Sequence, residues 1–137
     1  MSKARIPGGL TVKEQIAQSS EHDEQVALFR WAALKTVEYP ELGLLFAIPN
    51  GGKRDPVTAA KLVREGVKRG VPDTCLPVPR KGWNGLFIEL KWGYGETSEY
   101  QDKWLEDLNG QGFLAVVAVG WQEAVEVIKD YLGIESD

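Results

Sequence analysis

The chain has 137 residues, 43% of them hydrophobic and five of them tryptophan, which is enough apolar material to form a buried core without a second chain. Its single cysteine excludes an intrachain disulfide and a cysteine-based zinc site, and its single histidine argues against a histidine-rich metal centre. The net charge of −4 is unfavourable for holding a polyanion unless positive charge is concentrated in one region.

The first 19 residues are predicted to form a flexible arm, because Pro7, Gly8 and Gly9 interrupt any regular pattern and only the stretch from Val12 to Gln18 favours a helical turn. Residues 20–137 are expected to form one folded domain. The chain has no apolar run of membrane-spanning length and begins without the apolar stretch of a secretory signal, so we expect a cytoplasmic location and no membrane contact.

The folded part begins with a predicted helix over residues 21–36, for which Ser20 is the N-cap. Acidic residues near its start, Glu21 and Glu24 among them, suit the positive end of the helix dipole. The apolar residues recur at helical spacing and form one stripe: Val26, Phe29, Ala33 and Val37.

The middle of the chain predicts three strands and one helix. A buried strand is expected over residues 44–48, followed after a Gly-rich turn by a helix over residues 56–69 that Gly70 ends. Two strands over residues 73–78 and 85–91 come next and are joined by a turn, so we expect them to form a hairpin.

The last third of the chain predicts a helix over residues 99–109, capped by Ser98 and ended by Gly110. An almost continuously apolar strand over residues 113–119, typical of a strand buried on both faces, and a final helix over residues 121–132 complete the set. The order α, β, α, β, β, α, β, α predicts an α/β fold in which a mixed β-sheet is flanked by helices.

Three residues form a pattern that indicates a catalytic site: Asp73 and, one strand later, Glu89 and Lys91. Because alternate residues of a strand point to the same face, Glu89 and Lys91 emerge together, and the hairpin brings Asp73 towards them. Two neighbouring carboxylates suit Mg²⁺ or Mn²⁺, which can polarise a scissile phosphate and activate a water, while a lysine stabilises the charge that develops. The pattern therefore predicts metal-dependent phosphodiester cleavage.

These residue types are common, and a second interpretation applies when the pattern is considered alone. Asp73 is then a turn residue after Pro72, and Glu89 and Lys91 are solvent-facing positions of a half-exposed strand. The surrounding sequence has to decide between the two interpretations.

Positive charge is concentrated around this pattern. Residues 49–92 contain nine Lys or Arg side chains and four Asp or Glu side chains, in a chain that is acidic elsewhere. Such a region is typical of phosphate-backbone contact, and ordinary solvent-facing charge on a helix is the equally weighted alternative. The residues predicted to contact DNA are Asn50, Lys53, Arg54, Lys61, Arg64, Lys68 and Arg69.

Several further motifs accompany the pattern in a defined order. They are Pro49-Asn50-Gly51-Gly52-Lys53-Arg54, Gly66, Gly70-Val71-Pro72-Asp73, Gly85-Leu86-Phe87-Ile88-Glu89-Leu90-Lys91, Ser98 with Gln101 and Trp104, and Gly112. Together they resemble the VRR-NUC branch of the PD-(D/E)xK nuclease superfamily, in its stand-alone phage and bacterial form, over residues 20–132. The resemblance implies a restriction-endonuclease-like α/β fold and makes a nuclease the better interpretation.

By this resemblance, Asp73 and Glu89 are metal-binding acids, Lys91 is the catalytic lysine, and the backbone carbonyl of Leu90 joins the metal shell. The cofactor implied is Mg²⁺ or Mn²⁺. The resemblance also implies cytoplasmic action in a bacterial or phage-infected host cell.

A further acid is expected from the first helix. Glu24, beside Gln25, is preferred, and Glu21, three positions earlier on the same helix, is the alternative. Gln101 matches a glutamine near the active site of related nucleases, where its amide could bond a water or a phosphate oxygen. An exposed helix position is the other interpretation of Gln101.

Two tryptophans and a Gly-rich segment are further candidates for contact with DNA or a nucleotide. Trp83 and Trp92 flank the hairpin and either stack on an unpaired base or pack against the protein. The Gly-rich segment over residues 49–54 lacks the Gly-x-x-x-x-Gly-Lys-Ser/Thr pattern, so no nucleotide cofactor is expected.

The predicted substrate is branched DNA, because compact members of the family resemble dimeric Holliday-junction resolvases. A twofold homodimer supplies two active sites that match the symmetry of a four-way junction. Two alternatives stay open. One is a sequence-tolerant, flap-cutting or restriction-like nuclease of the same fold, and the other is a non-catalytic DNA-binding module.

Overall fold

The computed structural model describes residues 12–49 and 55–135. The predicted contact residues Asn50, Lys53 and Arg54 lie outside these ranges, as does most of the predicted arm. The elements in chain order are α1 (Val12–Lys35), a 3₁₀ helix (Pro40–Leu44), β1 (Phe46–Ala47), α2 (Pro56–Arg64), β2 (Thr74–Leu76), β3 (Leu86–Lys91), α3 (Glu99–Gly110), β4 (Leu114–Val119) and α4 (Trp121–Leu132).

The four strands form one sheet in the order β1-β2-β3-β4. β2 is antiparallel to both β1 and β3, so the predicted hairpin is confirmed. β4 runs parallel to β3: Leu114 N donates to Gly85 O at 2.9 Å and Gly120 N donates to Lys91 O at 2.8 Å, so the partners advance in the same direction along both strands. The sheet is therefore mixed, as predicted.

The chain divides into two compact units. Unit 1 comprises the residues up to Gly43, the segment Leu90–Glu96 and the residues from Val117 onward. Unit 2 comprises Leu44–Glu89 and Thr97–Val116. β3 and β4 each contribute their first residues to unit 2 and their last residues to unit 1.

In unit 1, α1 and α4 are in contact, and each buries one apolar face. α1 buries Leu28 and Ala32, four positions apart, and α4 buries Val125 and Ile128, three positions apart. These spacings place the buried side chains on one side of each helix. In unit 2, the core consists of apolar strand residues, among them Leu76, Leu86 and Ile88.

The predicted features of the first helix were wrong in two respects. α1 begins at Val12 rather than at Glu21, because the sequence before Ser20 contains no Gly or Pro after Gly9 and favours continuation of the helix. The predicted apolar stripe does not face the core, since Val26 is 42% exposed and Val37 is 92% exposed.

The second helix is shorter than predicted, ending at Arg64 rather than near Arg69. Gly66, with φ +101°, ends it in a Schellman motif: Val67 N donates to Leu62 O and Gly66 N donates to Val63 O. The sequence contains two glycines that could end the helix, and the first of them is used.

The first strand is also shorter and more exposed than predicted. Leu44, the first residue of the predicted strand, instead ends the 3₁₀ helix over Pro40–Leu44, in which Leu42 is buried. Leu45 is buried but lies outside both elements. What remains is Phe46–Ala47, both exposed, at one end of the strand order.

β4, at the opposite end of the strand order from β1, is buried less completely than predicted. Ala115 and Ala118 lie on opposite faces of the strand and are both buried, whereas three of the other four residues are half-buried and Val119 is 49% exposed. Within residues 12–49 and 55–135, no helix is long and apolar enough to cross a membrane.

Candidate active site

Glu89 and Lys91 are buried residues of β3, with 2% and 8% of their surfaces exposed. Ile88 and Leu90, which alternate with them on the strand, are buried as well. Burying a carboxylate or an ammonium costs free energy unless hydrogen bonds or opposite charge compensate it. The interpretation of Glu89 and Lys91 as solvent-facing positions of a half-exposed strand is therefore wrong.

Asp73 lies next to the β2–β3 ladder, in register with Glu89. The paired residues are Thr74 with Ile88 and Cys75 with Phe87, so one further step along the antiparallel ladder sets Asp73 opposite Glu89. The backbone at Asp73 still belongs to the sheet, because Ile48 N donates to Asp73 O at 2.7 Å. Directly opposed residues on antiparallel strands point to the same face, with Cβ atoms about 5 Å apart. The register therefore sets the half-buried Asp73 opposite the buried Glu89 within unit 2.

The Gln101 side chain contacts Glu89 directly. Gln101 Nε2 donates to Glu89 Oε1 at 2.9 Å, and Gln101 Oε1 accepts from Ser98 N at 2.8 Å. The helix that carries Gln101, α3, begins immediately after Ser98, whose hydroxyl accepts from Gln101 N. The structure therefore brings Asp73, Glu89 and Gln101 together, and Gln101 is not merely an exposed helix position.

Unit 1 places Glu21 beside Lys91. A Cβ built on Gly95 would lie 3.3 Å from Lys91 Cδ and 3.4 Å from Glu21 Oε1, so both side chains border the same small space. Glu21 is half-buried near the middle of α1. The first-helix acid that adjoins Lys91 in this unit is thus Glu21, which the sequence offered as the alternative.

Glu24, the preferred first-helix acid, has a different contact in unit 1. Its Oε1 accepts a hydrogen bond from Trp121 N at 2.9 Å, at the start of α4. The N-cap of that helix is Gly120, which has no side chain to fill this role. Glu24 therefore supplies the cap that Gly120 lacks.

The described basic residues predicted to contact DNA are all exposed in unit 2: Lys61, Arg64, Lys68 and Arg69. Arg69 is more ordered than a free surface cation, because its guanidinium lies 4.1 Å from the ring centroid of Tyr100. Trp92 is 38% exposed and Trp83 is half-buried, so neither side chain is fully engaged in a core.

The donors at Asp73 and Glu89 fit a hard cation. Both supply carboxylate oxygens, which Mg²⁺ and Mn²⁺ prefer, and Mg²⁺ usually keeps several waters and needs only one or two protein carboxylates. Cys75 adds no soft ligand: burial raises the pKa of its thiol to about 11, so it stays protonated at neutral pH. Among the residues that the structure describes, no three His, Cys, Asp or Glu side chains cluster as a metal site by themselves.

Comparison with known proteins adds an independent observation. Residues 19–122 match the model of the VRR-NUC domain, well over half of the chain. The chain belongs to the VRR-NUC domain family. Its structure is similar to a solved structure described as a VRR_NUC domain protein, with a TM-score of 0.72 and 29% sequence identity, covering 85% of this chain and 91% of that one. No curated protein matches the sequence.

Membership of the VRR-NUC family makes this a nuclease-type domain, with DNA as the implied substrate. The predicted fold class, an α/β restriction-endonuclease-like mixed sheet with flanking helices, is confirmed by the similar solved structure. The matched range contains every predicted catalytic and metal-binding position of this chain.

Two contributors to the site were not identified from the sequence as functional residues. Ser98 was predicted as a helix cap and stood beside Gln101 among the family motifs, without a functional role of its own. The Ser-x-x-Gln spacing of the two residues is the signature of a capping box and could have linked them. Gly95 was given no functional role. Its role in leaving space for Glu21 and Lys91 has no signal in a single sequence.

Proposed function

We propose that this VRR-NUC domain is a Mg²⁺- or Mn²⁺-dependent DNA endonuclease that selects branched DNA, in the manner of a Holliday-junction resolvase. The observation that supports it most directly is the register that sets Asp73 opposite the buried Glu89, whose Oε1 accepts a hydrogen bond from Gln101. A protein gains no stability from burying a carboxylate opposite a second one, so a functional reason for the pair is the simpler explanation.

In this proposal, Asp73, Glu89 and the carbonyl of Leu90 would hold the metal ion. Bound there, the ion would act as a Lewis acid at the scissile phosphate and would lower the pKa of a water. Lys91, two positions after Glu89 on the same strand, leaves β3 on the same side. Its ammonium is proposed to stabilise the negative charge that develops on the phosphate during in-line attack by water.

We propose that Glu21, rather than Glu24, is the first-helix acid that acts beside Lys91. Glu21 borders the same space as Lys91, whereas one carboxylate oxygen of Glu24 is already committed to Trp121 N. Glu24 keeps a second oxygen, so the earlier preference for it as a metal ligand can be tested directly against Glu21.

The DNA backbone is proposed to contact the exposed cations of α2 and of the turn after it. Their charge would neutralise phosphates and release counterions, which makes binding strongly dependent on salt. The residues are Lys61, Arg64, Lys68 and Arg69, together with the predicted contacts at Asn50, Lys53 and Arg54.

The preference for branched DNA and the homodimer are proposed together. A four-way junction is resolved by paired nicks, and two copies of one domain related by a twofold axis provide two equivalent sites. A sequence-tolerant nuclease of the same fold would cut linear duplex as readily as a junction. A DNA-binding module without catalysis would cut neither.

A cleavage assay on matched substrates tests the proposal. Four-way junction, flap, splayed-arm and linear duplex DNA of the same sequence are incubated with Mg²⁺, Mn²⁺ or EDTA. We expect junction cleavage with either metal and none with EDTA, and a loss of at least about 100-fold for Asp73→Asn and Glu89→Gln. Asp107→Asn, which changes an exposed acid that pairs with Lys103, is the control and should cut normally.

The same assay separates the alternatives. Equal cleavage of junction and linear duplex would replace the junction-selective nuclease by the sequence-tolerant one. Junction binding without cleavage under all metal conditions would favour the non-catalytic module. Full activity of Asp73→Asn would overturn the proposed site itself, and sedimentation of the protein–junction complex at one protein per junction would overturn the dimer.

A further inference from the structure

The amide of Gln101 is held at both ends. Its Oε1 accepts from the backbone N–H of Ser98 at 2.8 Å, and its Nε2 donates to Glu89 Oε1 at 2.9 Å. A backbone N–H can only donate, so the amide oxygen must face Ser98 and the NH₂ group must face Glu89. The helix cap thereby determines which end of the amide meets the carboxylate.

Ser98 also fixes the backbone from which Gln101 projects. Its hydroxyl accepts from Gln101 N at 3.2 Å, which completes a reciprocal capping box at the start of α3. In an ordinary capping box the second side chain ends at the N-cap backbone. Here the same side chain continues to a carboxylate that is 2% exposed.

We propose that the Ser98–Gln101 capping box is a positioning device that sets the orientation of the Glu89 carboxylate. With Oε1 held by a directional donor, rotation of the carboxylate is restricted, and so is the direction in which Glu89 presents its oxygens to a ligand. Gln101 and Ser98 are positioning residues in this assignment, acting through Glu89. The inference rests on the proposed function, because it takes Glu89 to be a metal ligand.

The choice of glutamine at position 101 supports this assignment. Glutamate serves equally well at the third position of a capping box and would accept from Ser98 N. It would also set a second carboxylate at hydrogen-bond distance from Glu89, with no donor between them. A requirement for capping alone does not distinguish the two residues, whereas positioning of Glu89 requires the NH₂ group of glutamine.

The first test is thermal unfolding in EDTA, which needs neither metal nor activity. A capping role alone predicts that Gln101→Glu melts at the temperature of the parent or above it. The positioning role predicts a lower melting temperature, by at least about 3 °C, because the hydrogen bond to Glu89 is replaced by repulsion between like charges. An unchanged or raised melting temperature for Gln101→Glu would overturn the proposal.

The second test is Mn²⁺ binding followed by calorimetry in the absence of DNA. Removing a side chain that orients a metal ligand typically costs about 10- to 100-fold in affinity, which is the loss we expect for Gln101→Met. Ser98→Ala should lose affinity by a smaller factor, and Ser98→Thr, which keeps the hydroxyl, should restore it. Asp55→Ala is the matched control, because Asp55 caps α2 through Thr58 N, whereas the helix that contacts Glu89 is α3.

The outcomes distinguish this inference from the proposed function. Parent protein that does not bind Mn²⁺ would contradict the metal-dependent nuclease, and the melting experiment in EDTA would still decide the contact between Gln101 and Glu89. Parent protein that binds Mn²⁺, with Gln101→Met binding equally well, would overturn only the positioning role. An equal loss of Mn²⁺ affinity in Asp55→Ala would mean that the loss comes from helix capping in general, and it would overturn the positioning role.

Discussion

Glu24 of α1 accepts a hydrogen bond from the backbone N–H of Trp121 at 2.9 Å, so a carboxylate from one helix caps another. Gly120, the N-cap residue, makes this possible: a Cβ at that position would lie 3.3 Å from Glu24 Oε1. The N–H of Gly120 in turn donates to Lys91 O at 2.8 Å. Glu24 thus stabilises the turn to which the backbone of the proposed catalytic lysine is bonded.

The first prediction separates the two candidate acids of α1. Glu24→Gln keeps an oxygen that can accept from Trp121 N, so it should retain most of the cap and most of the nuclease activity. Glu24→Ala should lower the free energy of unfolding by about 1 kcal/mol, as loss of an N-cap does. Glu21→Gln should reduce the cleavage rate at least about tenfold with little change in stability.

Chemical denaturation and a single-turnover cleavage assay on the same samples measure both effects. Glu38→Gln, at an exposed position beyond the C-terminal end of α1, is the matched control for removal of a carboxylate. If Glu24→Gln were inactive and Glu21→Gln fully active, the assignment of the two acids would be reversed.

The second prediction concerns the space beside Gly95. An added Cβ would lie 3.3 Å from Lys91 Cδ and from Trp92 O and 3.4 Å from Glu21 Oε1, so Gly95→Ala should displace the side chains of Lys91 and Glu21. We expect a reduced cleavage rate with unchanged DNA affinity. Gly110→Ala is the control, since nothing lies within 4 Å of its added Cβ. Equal activity of the two variants would show that this space has no role in the reaction.

The candidate site was more predictable from the sequence than several helix and strand boundaries were. Asp73 and Glu89 are set opposite each other by strand alternation and hairpin geometry, which act over a few residues and can be inferred from one sequence. Gln101 comes from α3, and only the family resemblance indicated that it lies near Glu89. The sequence could not distinguish Glu21 from Glu24, because both lie on one helix. The contacts that distinguish them involve Gly95 and Trp121, which are distant in the chain.

The predicted boundaries of α2 and β1 were wrong for a related reason. The end of α2 at Gly66 and the short β1 each depend on which of several local signals tertiary packing selects. A sequence shows that Gly66 and Gly70 can both end a helix. It does not show that Gly70 is needed elsewhere, against the backbone of Tyr100.

The third prediction follows from that second role of Gly70. Its φ is +84°, and an added Cβ would lie 2.6 Å from the carbonyl carbon of Tyr100, a backbone atom that has little freedom to move. Gly70→Ala should therefore cost at least about 2 kcal/mol of stability, from left-handed strain and overpacking together. Gly66→Ala shares the positive φ but has open space, so urea denaturation should show a smaller loss for it.

The fourth prediction is a pH dependence that arises from Cys75. Burial raises the pKa of its thiol from 9.0 to about 11, so the unfolded chain loses this proton at lower pH than the folded protein does. The contribution of the protonated thiol to stability is complete below pH 9 and is lost as the pH rises towards about 11. Denaturation of the parent and of Cys75→Ala between pH 8 and pH 11 should show a difference in stability that shrinks with rising pH. A constant difference would mean that the thiol does not titrate differently on folding.

The final prediction concerns Arg69 and Tyr100. The guanidinium of Arg69 lies 4.1 Å from the centroid of the Tyr100 ring, and Tyr100 immediately precedes Gln101 in the sequence. We therefore expect Tyr100 to preorganise Arg69 for a phosphate of the bound DNA. We expect Arg69→Ala to weaken junction binding and to lower the slope of log affinity against log salt by about 0.9, the value for one phosphate contact. Tyr100→Leu should weaken binding about two- to fivefold, as expected for an exposed cation–π contact, and Tyr100→Phe should not. Fluorescence anisotropy across a salt series measures these effects.

The double variant is the control. Tyr100→Leu should cause no further loss of affinity in the Arg69→Ala background, because the ring acts only through the guanidinium. Additive losses would instead mean that Tyr100 contacts the DNA directly.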